Sequence, residues 1–198
     1  MLPARDNPFR SERLDALAFR YPAGLDRAAL LVRLAALGHR AAIVGPEGSG
    51  KTTLSRELEG GLSERYRVWR ITQRRGDRRL GRRLPRLQHD DFVILDGAEQ
   101  LAWLSFWRLR RQTRSAGGLL VLSHRPGLLP TLVATETSQA LLDELVAELT
   151  PAQACAAGLL ARHGGNIRDA LRALYDAHAG LPPPQEDGRP GMLLSSGS

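Results

Sequence analysis

The apolar positions of this chain follow two rhythms, and the change from one to the other predicts its elements. In "GLDRAALLVRLAALGH" (24–39), Leu30, Leu34 and Leu37 share one helical stripe and Gly38 supplies a stop. "RAAIVG" (40–45) is a short unbroken apolar run that enters a glycine-rich turn, the pattern of a buried strand. "KTTLSRELEGGL" (51–62) returns to helical spacing until Gly60-Gly61, and "RVWRIT" (67–72) reads as a second strand. "DFVILDG" (91–97) is a third strand, apolar without alternation, as strands covered on both faces are. "AEQLAWLSFWRLRRQTRSAGG" (98–118) predicts one helix, with Arg108, Arg110, Arg111 and Arg114 near the negative end of its dipole. "LLVLSH" (119–124) is a fourth strand, and "LVAT" (132–135) adds a last one. Strands alternating with helices predict an α/β fold with a mostly parallel sheet and right-handed crossovers.

Beyond this last strand only helices follow. "SQALLDELVAEL" is the first. The second starts at "TPAQ", with Thr150 as cap, Pro151 at the first helical position and Gln153 closing a capping box. The third starts at "NIRDAL", capped by Asn166. The expected organisation is an N-terminal linker (1–24), an α/β core (25–136), a three-helix appendage (137–180) and a disordered Pro/Gly/Ser-rich tail (181–198).

Composition adds limits. With 42 % apolar residues in 198, the chain can bury a core. A single cysteine, Cys155, excludes an internal disulfide, and no apolar run reaches the ~18 residues that cross a bilayer. The start "MLPARDNPFR" lacks the apolar centre of a secretory signal, so a cytoplasmic protein is expected. Five histidines and one cysteine show no metal-ligand spacing. The net charge of +7 is uneven: "RRGDRRLGRRLPR" (74–86) holds seven arginines and one aspartate. Almost all of the excess therefore sits in one patch.

Lys51 is the only lysine among 28 basic residues. It lies in Gly45-Pro46-Glu47-Gly48-Ser49-Gly50-Lys51-Thr52, a match to G-x-x-x-x-G-K-[ST] between a strand and a helix. Glycines let such a loop turn its N–H groups inward around phosphates, and the following helix adds its positive end. A slender ammonium reaches the terminal phosphates where arginine's wide fork fits poorly. Thr52 offers a hydroxyl to Mg²⁺, and Thr53 completes the cofactor-binding set. "FVILDGAEQL" ends its apolar run at Asp96, a carboxylate for the same Mg²⁺ at the carboxyl edge of the sheet. Glu99 is the nearest further acid and the candidate for positioning water, the alternative being an ordinary first-turn acid.

Together these residues resemble the AAA+ ATPases over roughly residues 20–180. "GPEGSGKTT" is similar to their Walker A motif and "VILDGAEQL" to their Walker B. "LLVLSHRPGLLPTL" is similar to their sensor 1 strand, with His124 at the polar position. "GGNIRDALRAL" is similar to their sensor 2 helix, with Arg168 as its arginine. The resemblance implies a P-loop three-layer αβα core followed by a small three-helix lid. It also implies ATP bound between the two, and assembly into rings or filaments. Arg168 also has a physical reading, because a cation in a helix's first turn opposes the dipole unless a phosphate faces it. The other readings are a solvated arginine at 168 and a hydrogen-bonded structural histidine at 124.

Two departures bear on turnover. Gly97 stands where many relatives carry a catalytic glutamate, and "PTLVATETS" lacks the arginine often projected into a neighbouring subunit. "DGAEQL" also resembles the NACHT branch of the STAND NTPases, which mostly use nucleotide as a slow switch. The expected function is a slow ATP- and Mg²⁺-dependent ATPase that couples nucleotide state to a protein partner, to self-assembly or to nucleic acid. The alternatives are a non-hydrolysing switch and a small-molecule kinase. Arg74, Arg75, Arg78, Arg79, Arg82, Arg83 and Arg86 could meet nucleic-acid phosphates or an acidic partner, though no aromatics interleave them. Trp103, Phe106 and Trp107 are expected to face the core or a partner rather than to form a base-stacking surface.

Overall fold

The computed structural model describes residues 7–74, 84–150 and 158–180. The helices are α1 (Ser11–Asp15), α2 (Arg27–Ala36), α3 (Lys51–Leu62), α4 (Trp103–Gln112), α5 (Gln139–Leu149), α6 (Leu159–Arg162) and α7 (Ile167–His178). The strands are β1 (Arg40–Val44), β2 (Arg67–Thr72), β3 (Asp91–Asp96), β4 (Gly118–Ser123) and β5 (Thr131–Ala134). All five strands pair in parallel, in the order β2-β3-β4-β1-β5. This is the expected α/β arrangement, with "LVAT" forming an edge strand.

Successive strand residues point to opposite faces, and both faces are covered. Ala41, Ile43, Phe92, Ile94, Leu120 and Leu122 pack against Leu30 and Leu34 of α2 and Leu54 and Leu58 of α3. Ala42, Val44, Val93, Leu95, Leu119 and Val121 pack against Phe106 and Leu109 of α4. This double burial explains why the strands read as unbroken apolar runs. Each fully buried Leu, Ile or Phe contributes about 1.5–3 kcal/mol relative to an exposed one.

Helices α5, α6 and α7 form a third cluster, with Leu142, Val146, Leu160, Ile167 and Leu171 inside. Ser138 caps α5 and Asn166 caps α7, each accepting from the backbone N–H three residues on. The described residues before α2 belong to the packed structure. Phe9 is buried in the helical cluster, edge-on to His178 at 5.1 Å, and Asn7 donates to the Tyr175 carbonyl at 2.9 Å. Arg20 pairs with Glu144 and Glu148 of α5. On the other side, the Phe19 N–H (2.6 Å) and the Tyr21 hydroxyl (2.5 Å) both donate to Glu57 of α3. The segment thus ties the helical cluster to the core.

The single helix expected over 98–118 is three pieces. A 3-10 turn (Ala98–Gln100) precedes α4, and a second (Thr113–Ser115) follows it. Leu101 and Ala102 between the first two are extended. Gly97 enters this stretch in a left-handed conformation, and the bend lets α4 start again with Phe106 and Leu109 on the sheet. Of the three aromatics there, Phe106 joins the core, while Trp103 and Trp107 are exposed. The helix expected from Pro151, Cys155, the tail (181–198) and residues 75–83 lie outside the described residues. Among the described residues, no helix is long and apolar enough to cross a membrane.

Candidate nucleotide site

β1 lies between β4 and β5 and delivers the glycine-rich loop to the carboxyl edge of the sheet. Gly45 N–H donates to the Ser123 carbonyl at 3.1 Å, which holds the start of the loop to β4. Ser49 Oγ donates to the Pro46 carbonyl (2.8 Å) and meets Thr135 Oγ1 at 2.7 Å. Gly48 has φ +73, and a Cβ there would come within 3.0 Å of the Asn166 side chain at the start of α7. Loop and helical cluster therefore touch at a point where only glycine fits.

Lys51 opens α3 and is 9 % exposed. Its Nζ donates to the Gly45 (2.8 Å) and Pro46 (2.6 Å) carbonyls, two of the three hydrogen bonds an ammonium can make. Burial lowers its pKa, and Glu99, Asp96 and Glu47 act against that shift. The next residue, Thr52, donates from Oγ1 to Asp96 Oδ2 at 3.0 Å. A hydroxyl and a carboxylate side by side are hard oxygen donors of the kind Mg²⁺ prefers. Among the described residues, no three His, Cys, Asp or Glu side chains cluster as a metal cage. A pair of protein oxygens fits an ion that keeps its waters and shares substrate phosphates.

Glu99 lies in the 3-10 turn after β3, with Oε1 3.6 Å from His124 Nε2 at the end of β4. Gly97 has φ +85 and is pressed against the end of β2: a Cβ would come within 3.0 Å of the Gln73 carbonyl oxygen. Gln73 N–H in turn donates to the Asp96 carbonyl at 2.8 Å. No side chain fits at 97, so the next acid along the chain is Glu99.

These groups surround one cavity of about 520 Å³. Glu47, Gly48, Ser49, Gly50, Lys51, Thr52 and Thr53 form one wall. Asp96, Glu99 and His124 form a second, and Arg168 reaches it from the first turn of α7. Gly45 and Pro46 form the base of the loop and give their carbonyls to Lys51. An apolar wall was missed by motif reading: Leu14, Leu17 and Phe19 from the N-terminal segment, facing Leu141 and Leu145 of α5. The only signal for it was the run of apolar residues in "LDALAFRY", which carries no motif. Arg74 also lines the cavity, and Arg86 is exposed outside it. Arg75, Arg78, Arg79, Arg82 and Arg83 lie outside the described residues.

No protein-family model matches the sequence, and no curated protein matches it either. Solved structures do resemble the fold. NtrX from Brucella abortus in complex with ATP is similar over 89 % of this chain and 54 % of its own, at 14 % identity and TM-score 0.52. Cdc6p from Pyrobaculum aerophilum is similar over 89 % and 67 %, at 15 % identity and TM-score 0.53. Drosophila ORC bound to DNA is similar over 91 % and 64 %, at 16 % identity and TM-score 0.51. The chain thus spans between about half and two thirds of these relatives. They are AAA+ P-loop ATPases, and this chain has their fold.

Proposed function

We propose that the chain is an ATP- and Mg²⁺-binding AAA+ ATPase of low turnover that couples its nucleotide state to a partner. The observation that carries this reading is the Thr52–Asp96 hydrogen bond beside the buried Lys51, in a cavity rimmed by a glycine-rich loop. The loop amides and the start of α3 receive the phosphates. Lys51 exchanges its two loop carbonyls for the terminal phosphate oxygens. Thr52 and Asp96 would hold the Mg²⁺, which would supply positive charge against that of the phosphates. The base lies against the apolar wall of Leu14, Phe19 and Leu141.

Glu99 orients the attacking water, and His124 sets the position of Glu99 from 3.6 Å. Arg168 approaches the phosphates from the helical cluster, which makes that cluster a lid whose position reports the nucleotide. The shift of the acid from 97 to 99 supports slow hydrolysis, and it equally favours a second reading as a non-hydrolysing switch. NtrX holds ATP in the same fold. The partner is a protein, a second copy of this chain or nucleic acid, and the setting is the cytoplasm.

Calorimetry with ATP and Mg²⁺ tests the reading. Saturable heat is expected for the parent chain and none for Lys51→Ala of unchanged circular dichroism. A parent chain that binds no adenine nucleotide would sink it. Phosphate release at saturating ATP then separates a slow ATPase from a switch.

A further inference from the structure

The described residues form a second cavity, of about 280 Å³, at the edge of the sheet opposite the nucleotide loop. Arg40, Trp107, Arg110, Arg111 and Arg114 line it. Arg40 opens β1, the strand whose other end enters the loop. Its guanidinium is held by three carbonyls, of Thr113 (2.5 Å), Ala116 (3.2 Å) and Arg114 (3.4 Å). Arg110, Arg111 and Arg114 are exposed, and no described carboxylate pairs with any of them. The negative end of the α4 dipole offsets only part of this charge.

Four guanidinium groups around one hollow, with no acid among its described lining residues, call for dense negative charge from outside. Their planar forks match pairs of phosphate oxygens, and the carbonyls fix one fork in advance. The same wall carries the indole of Trp107, 52 % exposed. Trp103, 74 % exposed, stands one turn away, about 6 Å along the helix axis. Bare indoles beside a cationic groove are the two elements of single-strand recognition: phosphates on the cations and bases on the aromatic faces. In a duplex the base faces are stacked away. The arginine-rich segment 74–86 has the charge without aromatics, whereas α4 has both.

We propose that α4 and Arg40 form a binding surface for single-stranded nucleic acid, through phosphates at Arg40, Arg110, Arg111 and Arg114 and a base on Trp107. The surface lies apart from the nucleotide cavity, and its test needs no ATP. Fluorescence anisotropy of the full chain with a labelled single strand of about 20 nucleotides, longer than one binding face spans, reads it directly. Three to four phosphate contacts predict a loss of affinity of about 20-fold or more between about 50 and 200 mM salt. Arg110→Glu with Arg114→Glu should weaken binding roughly tenfold or more, with circular dichroism and ATP binding unchanged. Trp107→Ala should weaken it about fivefold or more, and Trp fluorescence should be quenched by the strand. The proposal is overturned if no strand binds at the lower salt, or if the double variant binds as the parent does. It is also overturned if affinity follows Arg78→Glu with Arg79→Glu instead. Competition by poly-glutamate equal to that of unlabelled strand, with Trp107→Ala neutral, overturns it in favour of an acidic protein.

Discussion

Gly97 and Gln73 are in steric contact across the end of β2: the Gln73 carbonyl oxygen occupies the space that a side chain at 97 would need. The left-handed φ of +85 at Gly97 adds a second reason for glycine. An acid side chain directly after Asp96 is therefore excluded by the backbone. Gly97→Glu should destabilise the protein by about 2–4 kcal/mol, from strain and displaced backbone, and should not raise turnover. Thermal melting and phosphate release check both halves. A variant that melts with the parent and hydrolyses faster would contradict this account of Gly97.

Glu99 then carries the water-positioning role in the proposed function. Glu99→Gln should lower phosphate release by about 100-fold or more while ATP binding stays within a few-fold. Parental turnover in this variant would remove Glu99 from the mechanism.

Asp96 and Thr52 are joined by a 3.0 Å hydrogen bond, and in the proposed function they hold the metal together. Asp96→Asn should leave metal-free ATP binding nearly intact and abolish the gain in affinity that Mg²⁺ confers. Calorimetry with and without the metal reads the difference. An unchanged Mg²⁺ dependence would place the ion elsewhere.

Phe19 belongs to the apolar wall and stands close to Gly50. Phe19→Ala should weaken ATP about five- to tenfold, by removing an aromatic surface for the base. Inorganic tripolyphosphate, which has no base, should bind as before. Equal losses for both ligands would mean that Phe19 supports the loop instead.

Asp91 offers a pH test away from the site. It is fully buried and accepts from Arg67 (2.7 Å), Trp69 Nε1 (2.8 Å) and Gln88 N–H (2.7 Å). The Arg67 bond is the main cause holding its pKa at about 2, below the usual 3.8, against the opposing effect of burial. A carboxylate with a depressed folded pKa stabilises fully above its unfolded value, and that stability is lost as pH falls toward the folded one. Melting temperature should accordingly hold above about pH 4 and drop between about 4 and 2. Asp91→Asn should flatten that drop and lower the neutral-pH melting temperature by roughly 5 °C.

Much of this was legible along the chain, because the relevant physics is local. The loop 45–52 is a contiguous motif whose glycines, lysine and hydroxyl act within a few residues of one another. The strands were readable because burial on both faces removes polar positions from "AAIV" and "FVIL". Asn166 was readable as a cap because capping spans only three residues.

What only the tertiary structure decided involves partners far apart in sequence. The clash that forbids a side chain at 97 comes from Gln73, just past the end of a strand paired only after folding. Leu14 and Phe19 join the cavity because the N-terminal segment runs from the helical cluster to Glu57, a path with no sequence signature. The helix read over 98–118 breaks because packing on the sheet outweighs its local propensity. Arg40 meets Arg110, Arg111 and Arg114 only where β1 begins beside the end of α4. Composition records how many charges a chain carries; the crossing of strand and helix determines which of them share a cavity.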